Sequence, residues 1–189
     1  VAVLAGRRVQ REWGRLPPAK RCELLGKFID AIESQRDDLA AAITAEQGKS
    51  MSESLGEVAK ACSEGRFMIQ HAMAGEGVRH VISLRADVRN FVMRRPRGMV
   101  VAITPWNFPV MTPMRKIAPA VAFGNSIIVK ASEFTPAAAC ILGEVACEYF
   151  PPGLVQVLHG GADIGNALVS HRHVQAVTFT GSVATGRRI

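Results

Sequence analysis

Gly98-Met-Val-Val-Ala-Ile-Thr-Pro-Trp-Asn-Phe-Pro109 opens on a short apolar run and then breaks into a loop stiffened by Pro105 and Pro109. Met99 to Ile103 reads as a strand, and the residues from about Thr112 to Ala122 read as a helix. The same alternation recurs down the chain. Gly124-Asn125 turns into the apolar run Ser126 to Lys130, and Thr135 with Pro136 marks the start of a helix, since a hydroxyl suits the cap and proline the first turn. Pro151-Pro152-Gly153 ends that helix. Leu154 to Leu158 then reads as a strand, Gly161 to Val169 as a helix and Val174 to Phe179 as a strand, with a further helix beginning near Val183. Strands linked by crossover helices imply right-handed βαβ units and a parallel sheet. In such sheets ligands bind beyond the carboxyl ends of the strands. The loops after the strands are therefore the candidate site: Thr104 to Pro109, Lys130 to Glu133, His159 to Gly161 and Thr180 to Gly186.

On the amino side the period changes. From about Pro18 to Gly75 apolar residues return at steps of three and four, with Leu25, Phe28, Ile29, Ile32, Leu39 and Ile43 forming one stripe. Gly48 interrupts the pattern, and Ser50 with Glu53 forms a capping box for the next helix. Met51, Leu55, Val58, Cys62 and Ile69 are its expected buried face. Two long helices joined by a tight turn are predicted. Residues 78–97 set Val88, Phe91 and Val92 among charges and close at Pro96, which predicts one or two short strands forming an arm. Three regions follow: residues 1–77 are helical, residues 78–97 are a strand or arm segment, and residues 98–189 are a βα region. The fold class is α/β, a partial Rossmann-like parallel sheet preceded by a long helical region. No repeat of solenoid length is present.

The 189 residues are 48% hydrophobic and 21% charged, an ordinary balance for a globular protein. No stretch approaches the roughly 18 apolar residues that span a membrane, and no cleavable leader is visible. The chain begins at Val1, so a missing start is expected. The net charge is +7. Its basic residues are scattered, apart from pairs such as Arg7-Arg8, Arg94-Arg95 and Arg187-Arg188, and no stacking aromatics interleave with them. That argues against a nucleic-acid binder and for a solvated surface or a field steering an anionic cofactor. Cys22, Cys62, Cys140 and Cys147 lack CxxC spacing and are expected as buried free thiols of a reducing compartment. His171 and His173 have no ligand cluster beside them, so no metal site is expected.

The loops offer chemistry without deciding it. Lys130 and Glu133 can bind a ribose from the sheet edge, or they can be a surface ion pair. Phe179-Thr-Gly-Ser182 can present backbone N–H groups to an anion, or Ser182 can simply cap a helix. Neither this stretch nor Gly160-Gly-Ala-Asp-Ile-Gly165 has the GxGxxG spacing. Asn107 can donate to a developing oxyanion or satisfy a local turn.

The combination is more specific. Trp106-Asn-Phe-Pro109, Lys116-Ile-Ala-Pro-Ala120, Gly124 to Pro136 and Phe179-Thr-Gly-Ser182, in this order and spacing, closely resemble the aldehyde dehydrogenase superfamily, with similarity to its succinate-semialdehyde branch. The resemblance reaches back through Glu46-Gln-Gly-Lys49 and Glu57-Val-Ala-Lys60. It implies an oxidoreductase that converts an aldehyde, a semialdehyde among the candidates, to the acid with NAD(P)+, with residues 98–189 as an incomplete dinucleotide-binding βα region and the catalytic domain absent. Asn107 corresponds to the oxyanion-hole amide and Lys116 to the lysine behind it, as the catalytic residues. Ile103, Thr104, Pro105, Trp106, Asn107, Lys130, Ala131, Ser132, Glu133, Gly161, Gly165, Phe179, Thr180, Gly181 and Ser182 correspond to the cofactor-binding positions. Lys130 and Glu133 would hold the adenosine ribose. Glu133 accepts from a 2′-hydroxyl and repels a 2′-phosphate, so NAD is favoured, with NADP possible. Ala131 stands where the family usually has proline.

The resemblance also implies what lies outside this sequence. The family's nucleophilic cysteine and general-base glutamate follow residue 189, so the chain is expected to be an amino-terminal fragment, inactive alone and poorly soluble. The full protein is expected to be a cytoplasmic homo-oligomer with the arm in its oligomerisation element. A non-catalytic nucleotide-binding module or a truncated-gene remnant is the alternative.

Overall fold

The computed structural model describes residues 1–75 and 78–189. Residues 76 and 77, the end of the expected helical region, lie outside them. Helices α1 (Ala2–Trp13), α2 (Pro18–Ser34), α3 (Arg36–Gln47) and α4 (Met51–Gly75) come first. A hairpin of β1 (Val78–Val81) and β2 (Asn90–Met93) follows, paired antiparallel. Then come β3 (Met99–Ile103), α5 (Met111–Ala122), β4 (Ser126–Lys130), α6 (Pro136–Tyr149), β5 (Val155–Leu158), α7 (Ala162–Val169), β6 (Ala176–Phe179) and the single turn α8 (Val183–Gly186).

The strands β3 to β6 form one parallel sheet in the order β5-β4-β3-β6. Its two inner strands are buried on both faces, and their side chains alternate between two cores as a period of two requires. Val100, Ala102, Ile127 and Val129 join the larger core with Leu25, Phe28, Ile29 and Met114 from the helices. Met99, Val101 and Ile128 face the other way, against Val3 of α1 and Leu168 of α7. The chain winds outward from β3 to β5 and then crosses back to place β6 beside β3. This reversal opens a crevice beyond Ile103 and Phe179.

The helical region differs from its sequence reading in three respects. The first predicted long helix is two, broken at Gln35, whose backbone (φ −97°, ψ 19°) leaves the helical range. Ile32 and Leu39 are seven residues apart, so the apolar stripe runs through the break without losing register and hides it. Helix α1, ahead of the predicted pattern, packs on the sheet through Val3 and Gly6, while Trp13 donates from its indole N–H to Val121 O at 2.9 Å. On α4 the buried face is only partly the predicted one. Met51 is exposed, and Leu55 and Ile69 are only half-buried. Ser54, Glu57, Ala61 and Gly65 share the interior with Val58 and Cys62. Small residues there let α4 approach α2 and α5 closely: a Cβ on Gly65 would sit 2.7 Å from Ile29 Cδ1.

Gly48 ends α3 in the left-handed conformation at φ 74°, which costs glycine nothing. The capping box forms as predicted, with Ser50 N donating to Glu53 Oε2 (3.0 Å) and Glu53 N to Ser50 Oγ (3.3 Å). The expected cap at Thr135 does not form, since its side chain makes no bond to the start of α6. Glu46 supplies it from α3, accepting from Ala137 N at 2.7 Å and Ala138 N at 3.4 Å. A carboxylate satisfies orphan donors and also suits the positive end of the helix dipole.

The cysteines divide. Cys22 and Cys62 are buried, and burial pushes the Cys62 thiol up to about 11. Cys140 and Cys147 are exposed, contrary to expectation. Ala138, Ala139, Leu142, Val145 and Ala146 occupy the inward stripe of α6, leaving both cysteines on its outer side.

Candidate functional site

Every loop singled out in the sequence leaves the carboxyl end of a strand of the parallel sheet. The ladder carries slightly past the strands: Thr104 N donates to Lys130 O (3.2 Å), Ala131 N to Leu158 O (3.0 Å) and Thr180 N to Ile103 O (3.0 Å). The first residue of each of these loops is thereby fixed.

Ile103, Lys130, Glu133, Gly161 and Gly165 line one cleft of about 190 Å³, with Ala162, Asn166, Val169, Thr185 and Ile189 completing it. Lys130 is buried along its stem, and its Nζ lies 3.2 Å from Glu133 Oε2. The Glu133 carboxyl is held below its ordinary value first by its own backbone N–H and then by the Lys130 ammonium. The bare glycines keep the cleft open. A Cβ on Gly161 would lie 3.9 Å from Glu133 Oε1, and one on Gly165 would lie 3.9 Å from Ile103 Cδ1. A buried lysine and an ionised, half-exposed glutamate on an open glycine wall suit a ribose, which offers and accepts hydrogen bonds at adjacent hydroxyls. Ala131 and Ser132 are buried beneath, where Ser132 Oγ accepts from Phe134 N at 3.3 Å.

Phe179 to Ser182 carry the chain from β6 into α8. The Phe179 ring lies under the turn, so that a Cβ on Gly181 would come 2.6 Å from its Cζ. Ser182 caps α8, its Oγ accepting from Thr185 N at 3.2 Å. The hydroxyl is thus engaged locally, while Thr180, Gly181 and Ser182 are all exposed.

Thr104 to Pro109 is where sequence reasoning missed the most. Thr104 is buried, Pro105 half-buried, and Trp106 and Asn107 exposed. Among the described residues the Asn107 side-chain amide makes no hydrogen bond, while its backbone is held tightly. Lys49 Nζ donates to Asn107 O (2.7 Å) and Gln47 Nε2 to Trp106 O (2.6 Å). The Lys49 ammonium also sits 4.1 Å from the centre of the Phe108 ring. Glu57, with 1% of its side chain exposed, binds Lys49 at 2.6 Å and accepts from Val110 N (3.0 Å) and Met111 N (3.2 Å) at the start of α5. The loop is therefore clamped from the helical region by Gln47, Lys49 and Glu57. A carboxylate four residues short of Ala61, in phase with an apolar helix face, was the available signal.

Lys116 lies on α5 with its Nζ donating to Thr178 Oγ1 of β6 at 2.9 Å. Burial, and then the neighbouring Arg115 charge, lower its pKa from the ordinary lysine value. It sits behind the crevice, joined to β6 rather than to Asn107.

The model of the aldehyde dehydrogenase family matches residues 1–189. The chain belongs to this family. It is 40% identical over 185 residues to 3,6-anhydro-alpha-L-galactose dehydrogenase of Vibrio sp. (strain EJY3), covering 97% of this chain and 38% of the relative. With the mitochondrial succinate-semialdehyde dehydrogenase of Arabidopsis thaliana it shares 38% over 179 residues, covering 94% of this chain and 34% of the relative. A solved structure of an E. coli NADP dependent enzyme superposes with a TM-score of 0.95 at 34% identity, covering 99% of this chain and 39% of that one. The chain thus spans less than two fifths of the length of these three proteins, and its α/β fold with the parallel sheet matches that of the solved structure.

Proposed function

We propose that this chain forms the cofactor-holding portion of an enzyme that oxidises an aldehyde to its acid with NAD(P)+, and that it supplies the oxyanion donor. The observation that carries this reading is the meeting of Lys130, Glu133, Gly161 and Gly165 in one cleft at the carboxyl ends of the strands. Lys130 and Glu133 bind the ribose of the cofactor's adenosine half. Gly181 and Ser182 face the crevice where a pyrophosphate would lie, and Ile103, Thr104, Pro105, Ala131, Ser132, Phe179 and Thr180 shape its walls. A nicotinamide bound there would supply the hydride acceptor.

Asn107 donates from its free amide to the aldehyde oxygen as negative charge develops there. Because the loop backbone is pinned before substrate arrives, the donor needs little reorganisation. Trp106 separates the cofactor side from the substrate side. Lys116, whose burial favours the neutral amine, positions and relays a proton behind that site. The nucleophile and the water-activating base come from sequence outside this chain, and within the 78–97 segment the β1–β2 hairpin, Val78 to Met93, serves in a homo-oligomer. The substrate is a semialdehyde of the succinate type, a reading supported by the Arabidopsis relative.

NADH fluorescence titration tests the cofactor reading. Lys130→Ala should weaken binding about ten-fold or more, the loss of one charge-assisted contact. Binding equal to that of the parent would sink it. Glu133→Gln should shift preference from NADH towards NADPH, because the charge that opposes a 2′-phosphate is gone. In the longer protein, Asn107→Ala should cut kcat by about a hundred-fold or more, and a panel of succinate semialdehyde against a sugar aldehyde decides the substrate.

A further inference from the structure

At the opposite end of the sheet, we propose, an arginine-lined cleft binds a small phosphate-bearing anion carrying two or more negative charges. The cleft has a volume of about 510 Å³, and Arg11, Arg15, Arg94 and Arg95 line it. Arg11 and Arg15 come from the end of α1 and the turn after it, and Arg94 and Arg95 follow β2 directly. All four side chains are exposed, and among the described residues none of them makes an ion pair with a carboxylate. Elsewhere on the surface Arg66 pairs with Asp30 and Glu33, Arg85 with Asp87 and Arg115 with Glu64. Four unpaired guanidinium groups gathered in one cleft repel one another, and a multivalent anion removes that repulsion.

The gathering is built into the backbone. Gln10 Nε2 donates to Gly124 O at 2.9 Å, tying α1 to the turn that precedes β4. A Cβ on Gly124, whose φ is 79°, would come 2.9 Å from Pro96 Cγ and 3.2 Å from Gly14 Cα. Only a bare turn lets α1, the 94–96 segment and β4 meet this closely. The four charges outweigh the roughly half negative charge that the carbonyl end of α1 presents. Arginine forks match phosphate oxygens in pairs, whereas a single carboxylate would satisfy one fork alone.

This cleft is separate from the cofactor loops. Pro96 and Gly124 precede β3 and β4, while Ile103 and Lys130 end them. The two sites are about 15 Å apart, the length of the intervening strand.

Calorimetric titration of the chain with inorganic pyrophosphate at low ionic strength tests the proposal. A saturable site is expected that is weakened at least ten-fold in Arg94→Ala/Arg95→Ala and in Arg11→Ala/Arg15→Ala and is unchanged in Lys130→Ala, whereas binding in the crevice at Gly181 and Ser182 would be unmoved by the arginine variants. Arg94→Lys/Arg95→Lys, which keeps charge and removes the forks, should also weaken it. These side chains are in solvent, so each variant should stay folded, with circular dichroism as the check. Absence of saturable binding overturns the proposal, as does loss in Lys130→Ala with the arginine variants unaffected. Citrate binding as tightly as pyrophosphate overturns the phosphate class.

Discussion

Lys49 and Glu57 form an ion pair at 2.6 Å between the turn after α3 and the second turn of α4, and each also holds backbone of the Trp106–Met111 segment. The pair joins the helical half of the chain to the loop that carries Asn107. Its acid is buried while its base reaches solvent, with side chains 1% and 22% exposed. The two partners are therefore unequal when removed.

Glu57→Ala should destabilise the fold by about 2–4 kcal/mol in urea unfolding, because Val110 N and Met111 N lose a buried acceptor. Glu57→Gln should cost less, about 1–2 kcal/mol, since one oxygen, Oε1, already serves both amides and the amide side chain retains it. Equal losses in the two variants would mean that the amides are not what Glu57 secures.

Glu46 and Thr135 make a second contrast. Glu46→Ala should cost about 0.5–2 kcal/mol, the usual range for a helix cap, through Ala137 N and Ala138 N. Thr135→Val should stay within about 0.5 kcal/mol, as its hydroxyl makes no cap bond. Thermal unfolding of both variants checks the order, and the reverse order would return the cap to Thr135.

Gly181→Ala should cost about 1–3 kcal/mol by overpacking against the Phe179 ring. In a Phe179→Leu background the same substitution should cost much less, because the ring is gone. A double-mutant cycle in chemical denaturation measures the coupling, and simple additivity would contradict the contact.

Acid should weaken the fold through Glu64 and Glu133. Hydrogen bonds from Arg115 lower the Glu64 pKa first, and Glu133 is lowered by its own backbone N–H and by Lys130, both from an ordinary 4.5. A carboxyl with a depressed folded pKa lends stability in full above its unfolded value. That stability is lost as pH falls through the folded one. Unfolding midpoints should therefore drop below about pH 4.5, and Arg115→Ala should flatten the drop. An unchanged profile in that variant would remove Glu64 from the account.

The alternation of apolar runs with Gly and Pro punctuation was enough to read β3 to β6, the helices between them and the capping box at Ser50. Each of those features is written within a few neighbouring residues, where period and turn chemistry decide the backbone. The break at Gln35 escaped because Ile32 and Leu39 keep the same helical phase on both sides of it. The order of the four motifs from Trp106 to Ser182 likewise carried the family. What the linear pattern did not contain was which distant side chain finishes which helix or loop. Glu46 is 91 residues from Ala137, Glu57 is 53 from Val110 and Lys49 is 58 from Asn107. Hydrogen bonds of that reach depend on how α3 and α4 pack against α5 and α6. Only the tertiary structure decided them, as it decided that Lys130, Glu133 and Gly161 share one cleft while Arg11 and Arg94 share another.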